Sequence, residues 1–151
     1  METYNIVSQG TLTLYGRVFN NFANGDVSQI SFPNDLVKMT TGKGGNTIFS
    51  KDESGRNATA TIRLIRGSSD DQFLQSKLSA SKRDFASTEL AFGEFVIRLG
   101  DGAGKVARDV FTMKGGMITK PVDGKENTAG DTEQGVVVYT INFADCDRSI
   151  Q

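Results

Sequence analysis

Three stretches of this chain alternate their side chains with a period of two, and that alternation commits it to a β architecture. Along residues 136–143, Val137, Tyr139, Ile141 and Phe143 share a face. Along residues 58–66, Ala58, Ala60, Ile62 and Leu64 oppose Thr59, Thr61, Arg63 and Ile65. In 92–99, Phe95, Ile97 and Leu99 oppose Glu94, Val96 and Arg98. A strand with one apolar face belongs to an antiparallel sheet covering a core on one side only. The chain has 17 glycines and 2 prolines among 151 residues, so many tight turns are expected.

Shorter strands fit between the turn signals. Residues 11–19 form one, with Gly16 as a bulge or bend. Asn24-Gly25-Asp26 is a turn. A strand at 29–32 stops at Pro33-Asn34-Asp35, and residues 36–39 follow. Gly100 to Gly104 turns the chain into a strand at 106–114. Gly115-Gly116 breaks that strand, and 117–122 continues it. A polar loop fills 123–135. Residues 1–9 form an N-terminal arm, and residues 144–151 a charged C-terminal arm. One helix is expected from Ser69 to about Ala80, capped by Ser69 or Asp70. Asp70 and Asp71 lie in its first turn, where the helix dipole favours them. Its apolar stripe is Phe73, Leu74 and Leu78 with the stem of Lys77.

Residues 40–57 read as a long extended loop rich in glycine and charge. Loops beyond about 12–15 residues are uncommon in compact domains unless they carry function. Ile48-Phe49 is its only apolar pair and is expected to anchor the loop on something else. The alternative is a mobile hairpin with that pair tucked into its own core.

Composition narrows the rest. A chain of 151 residues suits one domain, 1–151. Ten Phe and no Trp imply a core built on phenylalanine. The net charge is −1 and both signs mix along the chain, so dedicated nucleic-acid binding has little support. No signal peptide or membrane-length apolar run is visible. The single Cys146 has no internal disulfide partner.

Little catalytic chemistry is available. The chain has no histidine, which removes the commonest general base and zinc ligand. Asp70-Asp71 is a plain helix start. Asp145 and Asp147, flanking Cys146, read as a solvated tail that disfavours a reactive thiol. Asp123, Glu126 and Asp131 share a loop that could hold calcium loosely, but their spacing matches no EF-hand. Gly100 to Lys105 resembles a phosphate loop only superficially, because Leu99 and Val106 stand where that motif needs glycine and a hydroxyl. Asn57-Ala58-Thr59 matches the glycosylation sequon, a weak signal without a secretory route. Besides an enzyme, the alternative is a β-sandwich binding module for surfaces or carbohydrates, which the lack of Trp disfavours.

The order of elements resembles phage tail tube proteins, most closely those of contractile-tailed phages, a fold group shared with type VI secretion tubes. The resemblance rests on residues 22–49, similar to the family's spaced Gly-Asp, Ile, Phe, Lys, Thr and Gly pattern. It also rests on Thr59-Ala60-Thr61-Ile62-Arg63-Leu64, on Arg66-Gly67-Ser68-Ser69-Asp70-Asp71 opening a short helix, and on the terminal strand 136–141. It implies an antiparallel β-sandwich or split barrel with one short flanking helix and a long extended loop. It further implies hexameric rings stacked into a tube, with a DNA-conducting lumen that binds no DNA specifically. The implied partners are other copies of the chain, a tail sheath, a tape-measure protein and a baseplate tube initiator, with no membrane. The implied location is the virion tail, assembled in host cytoplasm. No catalytic, cofactor or metal residues follow from it. The expected contacts between subunits or rings are Lys43, Asn46, Ile48, Phe49, Lys51, Asp52, Glu53 and Arg56. The expected lumen-facing residues are Thr59, Thr61, Arg63, Glu94 and Arg98.

Overall fold

A computed structural model describes residues 5–6, 10–23, 27–100, 102–124, 126, 128–130 and 132–151. The strands are β1 (Asn5–Ile6), β2 (Thr11–Leu14), β3 (Arg17–Phe19), β4 (Ser28–Ser31), β5 (Val37–Thr41), β6 (Thr47–Lys51), β7 (Ala58–Ile65), β8 (Ala91–Gly100), β9 (Val106–Ile118) and β10 (Val136–Ile150). The helix α1 spans Ser69–Arg83. The main sheet is antiparallel with strand order β3-β2-β8-β9-β10-β7-β4, and β1 pairs separately with β8. It curls into a half-barrel. β5 and β6 form a hairpin of their own outside it.

The alternating strands set the concave face. Ala58, Ala60, Ile62 and Leu64 are at most 2% exposed, and Val137, Tyr139, Ile141 and Phe143 at most 3%. Leu12, Leu14, Phe19, Ala91, Met113, Ile118 and Cys146 complete the sheet's share of the core. The core is less phenylalanine-rich than composition suggests. Phe19 and Phe143 are buried and Phe22, Phe73, Phe95 and Phe111 pack half-buried against the core, whereas Phe32, Phe49, Phe85 and Phe92 are exposed.

Several turns differ from the sequence expectation, each for a local reason. Residues 11–19 are two strands, not one bent strand. Tyr15 (φ 55°) and Gly16 (φ 77°) form a two-residue hairpin loop, the backbone pattern whose twist matches antiparallel strands. Gly115-Gly116 does not end β9. Met113 pairs with Cys146 and Gly116 with Phe143, and all four face the core although the pairs lie three residues apart. The pleat therefore shifts by one residue in both strands, with Gly115 at φ 64° taking up the strain. Gly116 also leaves room for the Phe143 ring, which a Cβ would strike.

The charged C-terminal segment is no free arm. Residues 145–150 pair with β9 from Lys114 to Asp109. At the N-terminus Asn5 and Ile6 pair with Gly100 and Leu99. The rest of that expected arm up to residue 9, and the Asn24-Gly25-Asp26 turn, lie outside the described residues.

The helix is capped by Ser68, whose Oγ accepts from the Asp71 amide at 3.3 Å, one residue earlier than expected, and it ends three residues later. Leu74 and Leu78 are buried in the core. Phe73 packs edge-on against Tyr15 and Phe19, and Lys77 lies 4.8 Å over the Tyr15 ring while its Nζ pairs with Glu89 at 3.0 Å.

The helix also joins the two ends of the strand path. After β3 the chain leaves β2 and joins β7: the Ile65 amide donates to Asn21 O at 2.9 Å, the Ala23 amide to Arg63 O at 3.2 Å, and Phe22 bridges Leu64. The Asp70 side chain, 1% exposed, holds this crossing. Its carboxylate accepts from the Asn20 and Asn21 amides at 2.9 Å each and from Arg17 Nε at 3.1 Å. Asp71 accepts from the Tyr139 hydroxyl at 2.6 Å and the Gly67 amide at 2.8 Å. The two aspartates stand in the first turn of the helix, as expected, and act as tertiary clips as well. Replacing Asp70 with Ala leaves two amides and a guanidinium without their shared acceptor. The expected loss is about 3 kcal/mol of unfolding free energy, checked by urea titration.

Candidate functional site

Residues 40–57 are not a structureless loop. β5 and β6 pair from Val37↔Lys51 to Thr41↔Thr47. The tip closes through the Gly42 amide donating to Asn46 O at 2.8 Å, with Gly45 at φ 87°. All ten strand residues are exposed. A two-stranded hairpin with no sheet or helix against it is marginal in water.

Its register re-sorts the apolar anchor. Met39 stands opposite Phe49, and Thr40 opposite Ile48. Adjacent residues of a strand point to opposite faces, so Ile48 and Phe49 cannot act as one patch. The larger apolar face is Val37, Met39 and Phe49, exposed by 50%, 65% and 68%. Ile48, at 68%, stands on the other face beside Thr40. The pair is not tucked into the core. Sequence inspection missed Val37 and Met39 as partners of Phe49, because pairing across a turn is invisible until the register is known.

The base of the hairpin is an elbow, a single-turn 3-10 helix at Glu53–Arg56. Asp52 caps it, its carboxylate accepting from the Ser54 amide at 3.1 Å and Ser54 Oγ at 2.7 Å. The Ser54 bonds, with help from Lys38, hold the Asp52 carboxyl below its usual range. The Asp52 amide donates to Leu36 O at 2.8 Å. Gly55 is obligatory there, since a Cβ would sit 2.6 Å from Leu36 Cα.

Of the expected contact residues, Lys43 and Asn46 are exposed at the tip. Lys51 pairs with Glu53 at 3.2 Å, and Asp52 with Lys38 at 3.5 Å. Arg56 pairs with Asp145 of β10 at 2.8 Å. The latter four thus already have partners within the chain. Asp145 is correspondingly no part of a solvated tail, and hydrogen bonding to Arg56 lowers its pKa.

The expected lumen-facing residues all lie on the side of the sheet away from the core. Thr59, Thr61 and Arg63 are on β7 and Glu94 and Arg98 on β8, with β9 and β10 between them. Thr59 Oγ1 donates to Asn142 Oδ1 at 2.8 Å, and Asn142 Nδ2 donates to Thr119 Oγ1 at 3.1 Å.

Gly102 (φ 79°) and Gly104 (φ 88°) turn β8 into β9. Asp131 lies outside the described residues, and among the described residues no group of three or more His, Cys, Asp or Glu could hold a metal ion. Burial, then Asp147 and Asp145, push the Cys146 thiol up to about 11.

No protein-family model matches the sequence, and no curated protein matches it. Solved structures do. A chain of the anti-feeding prophage cap, described as a tube-terminating cap, aligns with TM-score 0.58 at 14% identity, over 99% of this chain and 92% of that one. A chain of the sheath–tube complex of an extracellular contractile injection system in its extended state gives 0.55 at 14% identity, over 96% and 89%. A chain of the six-fold symmetrised anti-feeding prophage baseplate gives 0.52 at 10%, over 100% and 97%. The fold is that of tube, cap and baseplate components of contractile injection systems. The likeness spans the whole length, so the exposed hairpin belongs to a domain built like those components rather than to an added module.

Two outcomes follow for the isolated chain. Met39→Ser with Phe49→Ser should change unfolding free energy by only about 0.5 kcal/mol, because neither side chain is buried; urea denaturation checks it. The native Cys146 thiol should resist a disulfide reagent at pH 8 and react fully in denaturant.

Proposed function

We propose that this chain is the structural subunit of a phage-type tail tube, self-assembling into stacked hexameric rings whose lumen conducts DNA during ejection. The observation that carries the reading is the hairpin face of Val37, Met39 and Phe49, exposed on a fold shared end to end with injection-system components. Burying such a face is worth about 25 cal/mol per Å² of apolar surface, and only another molecule can supply that burial. Contacts of one surface with a different surface on the next copy close into rings or continue as an open helix. The hairpin, with Lys43 and Asn46 at its tip, supplies one side of that contact. The threonine-rich outer face of β7 and β10 and the Glu94/Arg98 face of β8 are the candidates for the lumen wall. A sheath, a tape-measure protein and a baseplate initiator would complete the assembly in the host cytoplasm, and the finished tube would travel in the virion.

A second reading makes the chain the tube of a contractile injection particle that carries no genome, favoured by the solved relatives being parts of such systems. The two differ in whether particles containing the chain also contain DNA-filled capsids.

Electron microscopy of the concentrated chain, alone and seeded with tail baseplates, tests the assembly. Rings or tubes with sixfold symmetry are expected, and the Met39→Ser, Phe49→Ser variant should assemble at least about tenfold less well, the loss expected when two large apolar side chains stay hydrated. A chain that stays monomeric at every concentration with baseplates present overturns the reading.

A further inference from the structure

The described side-chain ion pairs of the hairpin and its elbow lie within residues 38–56, with one exception. Lys38–Asp52, Lys51–Glu53 and Glu53–Arg56 stiffen the segment but fix nothing relative to the sheet. Gly55 wedged against Asp35 and Leu36 ties the elbow to the residues that lead into β5, not to the sheet. Arg56 is the exception. Its Nε and Nη2 donate to the two carboxylate oxygens of Asp145, at 3.4 and 2.8 Å, across 89 residues of sequence. Asp145 sits on β10 directly opposite Lys114 of β9, beside the point where both strands shift their pleat. That shift is what presents it. Phe143 and Cys146 both face the core although they are three residues apart, leaving residues 144 and 145 together on the outer side of the bend.

We infer that the Arg56–Asp145 pair is a positioning latch that aims the hairpin relative to the half-barrel, so that its Val37–Met39–Phe49 face meets the next copy of the chain. This rests on the tube-subunit reading for the identity of the partner, but not for the latch itself. An exposed ion pair adds little to the stability of a fold. A two-pronged guanidinium–carboxylate contact nevertheless fixes direction, because its planar fork admits one orientation. The lever is long: the strands rise about 3.4 Å per residue, so a small rotation at the elbow displaces the tip by several times as much. Ordering the hairpin before contact removes an entropic cost from association. The pleat shift at Gly115 thereby acquires a role beyond fitting the Phe143 ring, since without it the Asp145 carboxylate would face the core.

The test uses the full chain with spin labels at Asn46→Cys, on the tip, and Ser76→Cys, on α1; the native Cys146 is buried and stays unlabelled. The parent should give a narrow distance distribution, and Arg56→Gln and Asp145→Asn should each broaden it. The charge-swapped double variant, Arg56→Asp with Asp145→Arg, should narrow it again. Thermal unfolding should be nearly unchanged in both single variants, while the concentration needed for assembly rises about fivefold, the weight of an exposed ion pair expressed as binding. An unbroadened distribution in both single variants overturns the latch, whatever happens to assembly. Broadening in a chain that never assembles upholds the latch and removes only the tube reading.

Discussion

The buried carboxylate of Asp70 is the constraint on which the half-barrel turns. A curled sheet of this order has two ends, β3 and β4, and open ends are sticky. Here the chain crosses between them through residues 20–23, where backbone amides leave one strand partner before taking another. Asp70 accepts from two of those amides and from Arg17. A carboxylate so deeply buried is tolerable only because every donor around it is aimed at it. Since Asp70 is in the first turn of α1, the same contact fixes the start of the helix. Leu74 and Leu78 then fall four and eight residues on, along the stripe that faces the core. The neighbouring Asp71 repeats the device on the other side, taking the Tyr139 hydroxyl from the first part of β10. Seam, helix and core are thus set by two adjacent aspartates.

Stability is distributed unevenly as a result. The strands around the helix bury nearly everything on one face, whereas the β5–β6 hairpin buries almost nothing. An isolated hairpin of this length gains too little from its own backbone bonds to offset the entropy of ordering it. Its internal ion pairs are exposed and weak. What shapes it in the monomer is the elbow: the Asp52 cap, the Gly55 wedge and the Arg56–Asp145 contact. In the proposed tube, a segment so well held at its base and so bare along its length would meet the next copy with its shape already prepared.

Much of this was legible in the sequence, and what was not shares a cause. The apolar faces of β7 and β10 follow from period-two alternation, because a strand's two faces are a local property. The helix was visible from its stripe and acidic first turn. Pairing partners were hidden, since register depends on residues far apart. That is why Ile48-Phe49 looked like one anchor when Met39 is the true neighbour of Phe49, and why residues 40–57 looked like a loop. Gly16 alone was read as a bulge or bend within one strand, and the two-residue turn stayed hidden because tyrosine rarely adopts positive φ. Asp70 and Asp145 carried ordinary explanations, a helix dipole and a charged tail, that conceal long-range contacts. Glycine pairs misled in the same way: Gly115-Gly116 signals a break locally, but the Phe143 ring across the strand turns it into a bulge.

The same geometry bears on how a DNA conduit could be lined. A wall that lets a polyanion pass must not offer it many free donors or cations, because each phosphate neutralised adds affinity through counterion release. On the outer face of β7 and β10, three neutral groups occupy one another: Thr59 donates to Asn142, which donates to Thr119, and Arg63 adds one cation to the same face. Such a chain of neutral groups is wetted by water yet presents few unsatisfied donors. The β8 side is different, with Glu94 and Arg98 both exposed and opposite in sign, and with Arg98 directly opposite Arg108 of β9, so it carries more cationic charge. In the proposed tube the β7–β10 face is therefore the better wall and the β8 face the better seam between subunits, where mixed charges can set register. The sheet order supports that division, because β9 stands between the two faces and no single residue has to serve both.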